Sequence, residues 1–420
     1  MTDLFLGIDL GTSGIRCAVI EADGRLLAMS RGSYPDASAL AWWHAVSDGL
    51  TALRQEIGDS AMANIKGAAV GGTSGTMVLT DGALNPVTDP LMYNSTGFEE
   101  EAAVIAEHAP KGHITEGSAS ALGRAMRLQA QDTARRAKHL CHQADFIMAK
   151  LTGQPGHSDE NNSLKTGFDV VARDWPDWIW KTGLNTDLLP QVHSVGAPVA
   201  TVDASLAQTF GFDPEMTLHA GTTDSIAAFL AAGATQVGEV VTSFGTTLAI
   251  KMLSNVRIDD TARGIYSHRL GDMWLVGGAS NTGGGALLQH FTPEQMRDLS
   301  ARIDPSKDTG LDYYPLPRPG ERFPFADPKK EPRITPRPPD DALFLQGLFE
   351  GITRIEAECY EALRALGAPK VTRILTAGGG AANEAWLKIR QRIIPHPIEV
   401  SQNTEGSVGL AMLCASRHKA

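Results

Sequence analysis

Cysteine is scarce and unpaired in this sequence. Only four occur in 420 residues, Cys17, Cys141, Cys359 and Cys414, and none stands in a C-x-x-C pair. Neither a zinc knuckle nor a disulfide framework is indicated, and a reducing, cytoplasmic setting is the expectation. Runs of basic residues are also missing. With a formal net charge of −11, the chain lacks the positive face that neutralises a phosphate backbone, so no nucleic-acid partner is expected. No apolar run approaches the length of a membrane span, and the first residues lead into a strand without a basic-then-apolar leader, so no membrane association is expected. There is no G-x-x-x-x-G-K-[ST] segment, which excludes a Walker-type phosphate loop. A dinucleotide fingerprint is absent too: in Gly378-Gly379-Gly380 the position of the third fingerprint glycine is occupied by Asn383.

What is present is a composition of 42% hydrophobic and 20% charged residues with 43 glycines, which describes a globular chain rich in tight turns. Its length exceeds what one ordinary core supports, so two domains are expected. Residues 4–8 and 15–20 read as strands around the turn Gly11-Thr12-Ser13, and residues 25–29 return after the turn at 21–24, giving an antiparallel meander. Helical spacing follows at 42–54, then a strand at 65–70 that ends in Gly72-Thr73-Ser74-Gly75-Thr76. The interval 99–151 reads as helices. Residues 153–198 read as loops and short helices able to fold over a ligand cleft. A short strand at 218–221 precedes a helix from Asp224, and a hairpin at 238–252 carries Gly245-Thr246-Thr247. The proline-dense interval 303–340 reads as an extended arm outside the core. A helix at 342–366, a strand at 371–376 and a helix of small residues at 404–415 complete the chain. Strands alternating with helices imply mixed sheets covered by helices.

The two Gly-Thr turns match each other. In each, glycine lets the backbone bend closely around a ligand, and the hydroxyls and amides that follow can grip phosphate oxygens. Asp9 ends the strand before the first turn, where a carboxylate beside phosphates would hold Mg²⁺ through water; capping its own turn is the structural alternative. Asp224 stands at a strand-to-helix junction, as a general base for a substrate hydroxyl or as a helix cap. Gly378-Gly379-Gly380 offers a flat shelf for a nucleoside. Gly277-Gly278 and Gly283-Gly284-Gly285 serve the same nucleotide or allow close packing.

The segments Ile8-Asp9-Leu10-Gly11-Thr12-Ser13, Ala220-Gly221-Thr222-Thr223-Asp224, Ser243-Phe244-Gly245-Thr246-Thr247, Val276-Gly277-Gly278-Ala279-Ser280 and Ala377-Gly378-Gly379-Gly380-Ala381-Ala382-Asn383 resemble, in this order, the signature segments of the FGGY carbohydrate kinases. The resemblance implies a two-lobed α/β fold of the actin-like ATPase (ribonuclease H-like) type, each lobe a mixed sheet flanked by helices, closing over ATP in the cleft. Residues 1–232 with 406–420 would form the N-terminal sugar-binding lobe and 233–405 the nucleotide-binding lobe. It also implies Asp224 as catalytic base and Asp9 as the Mg²⁺-associated carboxylate. Gly11, Thr12, Ser13, Gly245, Thr246 and Thr247 would meet the ATP phosphates, and Gly278, Gly378, Gly379 and Asn383 the nucleoside.

Neither the Arg-Glu pair of glycerol kinases nor the Gln-Met-His-Gly segment of xylulose kinases follows Gly71. Gly72-Thr73-Ser74-Gly75-Thr76, Pro90-Leu91-Met92-Tyr93-Asn94, Ser163-Leu164-Lys165-Thr166-Gly167, Tyr266-Ser267-His268-Arg269-Leu270 and the 310–317 segment resemble the short D-ribulose kinases of cyanobacteria and plants. Ser74, Asp9 and Asp224 can accept from sugar hydroxyls, and Lys165 can donate to the carbonyl. The expected reaction is ATP-dependent conversion of D-ribulose to D-ribulose 5-phosphate by a monomer or homodimer. D-Xylulose, ribitol or another polyol is the alternative acceptor, and an actin- or chaperone-like ATPase switch the alternative of another class.

Overall fold

The computed structural model describes residues 2–418. They divide into two compact units, Met1–Ala231 with Glu405–Ala420, and Ala232–Thr404. Strands of the first unit are β1 (Leu4–Leu10), β2 (Gly14–Glu21), β3 (Leu26–Ser33), β4 (Ile65–Gly72), β5 (Met77–Thr80), β6 (His139–His142), β7 (His157–Asp159), β8 (Gln191–His193), β9 (Pro198–Thr201) and β10 (Thr217–Thr223). Those of the second are β11 (Glu239–Phe244), β12 (Leu248–Ser254), β13 (Tyr266–Leu270), β14 (Met273–Ser280), β15 (Arg373–Gly378) and β16 (Ile398–Val400).

Each unit is built on a six-stranded mixed sheet, in the order β3-β2-β1-β4-β10-β9 in the first and β13-β14-β12-β11-β15-β16 in the second. In both, an antiparallel hairpin (β1–β2, β11–β12) has its first strand paired in parallel with a later one (β4, β15). The two hairpins that match in sequence therefore hold equivalent places in their sheets. This is the two-lobed α/β arrangement that the motifs implied.

β1 shows why the first sheet forms. Its side chains alternate between faces, and both faces are covered. Leu4, Leu6, Ile8 and Leu10 pack with Trp42, Val46, Leu50 and Leu53 of the helix Ala39–Ile57 and with Phe146. That helix starts at Ser38, whose hydroxyl accepts from Ala41 N at 3.1 Å, and stops at Gly58, which has φ 80°. Phe5 packs on the opposite face with Val408, Leu410 and Cys414 of the helix Gly406–His418. Gly7, on that same face, brings this helix onto the strand: a Cβ there would lie 1.8 Å from the Ser407 carbonyl oxygen.

Two readings of the sequence change. The interval 99–151 is not helix throughout: β6 interrupts it and pairs antiparallel with β5, Val78 opposite Cys141. The four residues His139-Leu140-Cys141-His142 do not alternate, and no periodicity marked them as a strand. The proline-rich 303–340 segment has little regular structure, yet it is no free arm. Tyr313, Tyr314, Leu316 and Phe323 are buried, and Tyr314 exchanges main-chain hydrogen bonds with Arg333 at 2.7 and 3.0 Å. Residues 153–198 also contribute core: Ile179, Leu184 and Leu188 pack with Leu79, Leu122, Leu128 and Leu140. Among the described residues no helix is long and apolar enough to cross a membrane.

Because the helix Gly406–His418 touches β1 through bare backbone, Gly7→Ala is expected to destabilise the protein by roughly 1–3 kcal/mol, the usual cost of overpacking. Urea unfolding of the two proteins checks it, an exposed Gly82→Ala variant serving as control, since a Cβ there meets nothing closer than 3.9 Å and the position has no positive φ.

Candidate active site

In the first sheet β1, β4 and β10 are adjacent and parallel. Asp9 stands near the C-terminal end of β1, the Gly72–Thr76 turn follows β4, and Asp224 follows β10. Three of the residues read as functional thus come from the carboxyl ends of three neighbouring parallel strands, the edge where open α/β sheets bind ligands. Lys165 joins them through the helix Glu160–Leu164: Asn161 Nδ2 donates to Thr222 Oγ1 on β10 at 3.1 Å.

Asp9 is only 7% exposed, and its Oδ1 has no hydrogen-bond partner. Burial first, and then the negative charge of Asp224, push its carboxyl up to about 7; Arg16 opposes the shift and Glu405 adds to it. Arg16 and Arg31 both pair with Glu405, at 2.9 and 2.8 Å. Asp9 faces the start of the helix Gly406–His418, where a Cβ on Gly406 would lie 2.6 Å from Asp9 Oδ2. The positive end of a helix favours a carboxylate there. Nearby, Tyr34 has a buried hydroxyl without a partner, and burial and then the Asp9 charge raise its pKa, making the phenol a weaker acid.

A buried carboxylate oxygen lacking a donor, coupled to a second carboxylate, has the chemistry of a site for a hydrated divalent cation. Among the described residues no group of three or more His, Cys, Asp or Glu side chains could hold a metal alone. Water and phosphate oxygens would have to complete its coordination shell, as Mg²⁺ commonly requires.

Asp224 is the first residue of the helix Asp224–Ala232 and is partly exposed. Its Oδ1 accepts from Ser225 N at 2.6 Å. Ser74 Oγ is buried and without a partner. Lys165, partly buried, follows the last residue of the helix Glu160–Leu164. Around them lies a polar network that the sequence reading missed. Asp159 Oδ1 accepts from Asn161 N and Asn162 N at 2.9 Å, and burial, then the Asp145 charge, raise the Asp159 carboxyl to about 7. Asn162 Oδ1 and Gln143 Nε2 are buried without partners. The signal for this network was the polar run Asp159-Glu160-Asn161-Asn162-Ser163, too hydrophilic for the burial it receives.

In the second unit, Gly245, Thr246, Gly379 and Asn383 line one cavity of about 530 Å³, within the range of small-ligand sites. Its aromatic wall is Trp386, stacked on Phe349 at 4.6 Å with the rings 7° apart and tilted against Phe244. Leu287, Leu288, Pro293 and Met296 close the apolar side. Asn383 caps the helix Glu384–Ile393 by accepting from Trp386 N at 3.0 Å and donates to Ser300 Oγ at 2.8 Å. One lone pair and one N–H of its amide remain for a ligand.

The glycines divide by role. A Cβ on Gly380 would lie 2.8 Å from Phe244 Cβ, and Gly378, with φ 84°, abuts Phe244 O; Gly379 has nothing within 4 Å. Gly379 is therefore the glycine that leaves bare backbone to the cavity. Gly284 N and Gly285 N donate to Gly245 O and Thr246 O, both at 2.9 Å, so Gly283-Gly284-Gly285 braces the second turn by close backbone packing. Neither Gly11 nor Gly245 needs a positive φ, and a Cβ would approach nothing closer than 3.5 and 3.8 Å respectively. The bend itself does not depend on glycine, and what these glycines leave is open backbone at the tip. Thr12, Ser13 and Thr246 are exposed there and Thr247 partly so. Gly278 does not join the cavity with Gly379. It lies inside β14 opposite Ile250, borders a different cavity, and its missing Cβ makes room for the Phe323 ring at 3.1 Å.

Models of the FGGY family of carbohydrate kinases match along nearly the whole chain, the N-terminal domain over residues 4–231 and the C-terminal domain over residues 240–417. The chain belongs to this family and is a carbohydrate kinase. It is 23% identical to a xylulose kinase of Bacillus subtilis (strain 168), over 98% of this chain and 87% of that protein. An L-fuculokinase of Salmonella typhi is 24% identical, over 98% and 91%. The crystal structure of a xyloylose kinase from Brucella ovis has the same fold, with a TM-score of 0.86 and 22% identity over 99% of this chain and 91% of that one.

The raised Asp9 carboxyl has a consequence for stability. Between its unfolded value of 3.8 and its folded value of about 7, the native protein holds a proton that the unfolded chain releases, so this group's contribution to stability falls as pH rises through that window. In cation-free buffer, Asp9→Asn is expected to flatten part of the decline in urea stability between pH 4 and pH 7. A slope unchanged from the parent would contradict the burial assigned to Asp9. Asp159 has the same sign and keeps a residual slope in the variant.

Proposed function

We propose that the protein transfers the γ-phosphoryl group of ATP to the terminal hydroxyl of a ketopentose, D-ribulose foremost, giving D-ribulose 5-phosphate. The observation that carries this reading is the cluster at the carboxyl ends of β1, β4 and β10: two coupled carboxylates, Asp9 and Asp224, beside the buried, unpartnered hydroxyl of Ser74. A polyhydroxylated ligand supplies the donors and acceptors such groups lack.

Asp224 accepts the proton of the terminal hydroxyl as its oxygen bonds to phosphorus and the bridge to ADP breaks. Its partial exposure lets it return the proton to solvent. Ser74 accepts from a sugar hydroxyl, and Lys165 donates to the carbonyl. In the second unit the cavity walled by Trp386, Leu287 and Gly379 takes the nucleoside, and the amides and hydroxyls of Gly11-Thr12-Ser13 and Gly245-Thr246-Thr247 orient the phosphates. Asp9 would hold a Mg²⁺ ion through water, and that ion would supply charge neutralisation for the transferred group. Asp9 itself would mark that position, and with its carboxyl raised to about 7 it would share a proton near neutral pH and release it to the cation.

D-Xylulose is the second reading, favoured by the xylulose kinases among the relatives. The Gly72-Thr73-Ser74-Gly75-Thr76 turn favours D-ribulose. Coupled ADP-release assays over D-ribulose, D-xylulose, ribitol and L-fuculose decide between them, with the highest kcat/KM expected for D-ribulose. A higher value for D-xylulose selects the second reading, and ATP hydrolysis unaffected by any sugar rejects both. Asp224→Ala is expected to lower kcat by about 10²- to 10⁴-fold, the usual contribution of a general base, with ADP affinity preserved.

A further inference from the structure

Two consecutive residues, His142 and Gln143, stand where β6 meets the helix Gln143–Thr152, and both are fully buried. Each reaches a different loop. Gln143 Oε1 accepts from Thr73 N at 3.0 Å and from Thr73 Oγ1 at 2.8 Å, and its main-chain N–H donates to Thr76 O at 2.9 Å. Thr73 and Thr76 are joined through their hydroxyls at 2.7 Å. The turn that carries Ser74 is thus held on both flanks. The His142 ring reaches the other way, with Nε2 3.0 Å from Thr166 Oγ1, and Nδ1 2.7 Å from Asp145 Oδ2 and 3.2 Å from Ser158 Oγ. Thr166 adjoins Lys165, and Ser163 Oγ donates to Ser158 Oγ at 3.1 Å.

Residues 73–76 and 165–168 lie outside regular helix and strand, so no ladder of main-chain bonds sets where Ser74 and Lys165 sit. Single turn bonds, such as Thr76 N to Thr73 O and Thr166 N to Ser163 O, shape each loop locally, and the bonds from one rigid helix start hold the two loops to a common frame. We infer that the His142-Gln143 pair is a positioning clamp that fixes the Ser74 turn and the Lys165 segment relative to each other, and so sets the sugar selectivity of the kinase. The inference rests on the reading that Ser74 and Lys165 meet the sugar. Supporting residues of this kind matter because a misplacement of about 1 Å can cost on the order of 100-fold.

Thr166→Val tests the clamp. Valine fills the same volume and removes the hydroxyl bonded to His142, whereas Thr166→Ser keeps it. The expected result is a KM for the preferred sugar raised roughly 10- to 100-fold by the valine, the KM for ATP and kcat both within about twofold, and near-parental behaviour of the serine variant. Amide hydrogen exchange of residues 163–168 in the ligand-free proteins is expected to speed up in the valine variant alone. Thr73→Val and Thr73→Ser repeat the test for the Gln143 arm. Equal sugar KM in the valine and serine variants, or ATP and sugar KM rising together, overturns the clamp as a selectivity device. If the parent phosphorylates no sugar, the reading of Ser74 and Lys165 fails by itself. The exchange measurement then still judges the clamp, which identical protection in all the proteins would refute.

Discussion

The first unit is arranged around one carboxylate held almost out of water, that of Asp9, which is 7% exposed. Asp9 occupies the same face of β1 as Phe5 and Gly7, under the helix Gly406–His418. That helix reaches the strand only because Gly7 and Gly406 present no side chains to it. A buried carboxylate without a partner is costly, and a second carboxylate, Asp224, adds to the cost. The fold leaves two compensations: protonation, which the raised carboxyl records, and a cation. Perturbed groups of this kind concentrate at functional sites, and the proposed kinase reaction would give this one a chemical task.

In the second unit the equivalent constraint is close backbone packing over a buried ion pair. Arg390, 2% exposed at its side chain, pairs with Glu356 at 2.6 and 2.8 Å and lies over the Phe244 ring at 4.7 Å. Such pairs add little net stability but are expensive to break. Here it ties the helix Asp341–Ala365 to the helix Glu384–Ile393 directly beneath the aromatic wall of the cavity. Phe244 then serves twice, as packing for Arg390 and as the surface on which Gly378 and Gly380 turn. Gly283-Gly284-Gly285 performs the matching task for the Thr246 turn. Removing side chains at these positions lets main chain lie against main chain, which leaves Gly379 bare toward the cavity.

Much of this was legible in the residues themselves. The paired Gly-Thr hairpins, the strand at 65–70, the Asp224 helix and the glycine turn after β15 are local features, written in alternation and turn chemistry. Asp9, Ser74 and Asp224 could be chosen because each ends a strand, and strand ends are visible in sequence. What could not be read is what arrives from far along the chain. Gly406 meets Asp9 across nearly the whole sequence, Phe323 of an irregular proline-rich segment explains Gly278, and Arg31 meets Glu405. β6 was overlooked because its four residues, His-Leu-Cys-His, carry no alternation and sit in a long helical-looking context. The Asp159–Ser163 network was hidden for a related reason: a hydrophilic run reads as surface unless its partners, Thr222 and Asp145, are known to be near.

The proposal at the centre of the account is that burial and the Asp224 charge raise the Asp9 carboxyl to about 7, so that it shares a proton near neutral pH and gives it up to a cation. Its most direct measurement is a ¹³C-carboxyl NMR titration of the intact protein, with Asp9→Asn to assign the resonance, run without divalent ions and again with Mg²⁺ and ADP. The account predicts a midpoint near the value of about 7 in the first titration and a large downward shift in the second. A midpoint close to the ordinary aspartate value of about 3.9 in the free protein, or one that Mg²⁺ and ADP leave unmoved, would contradict it.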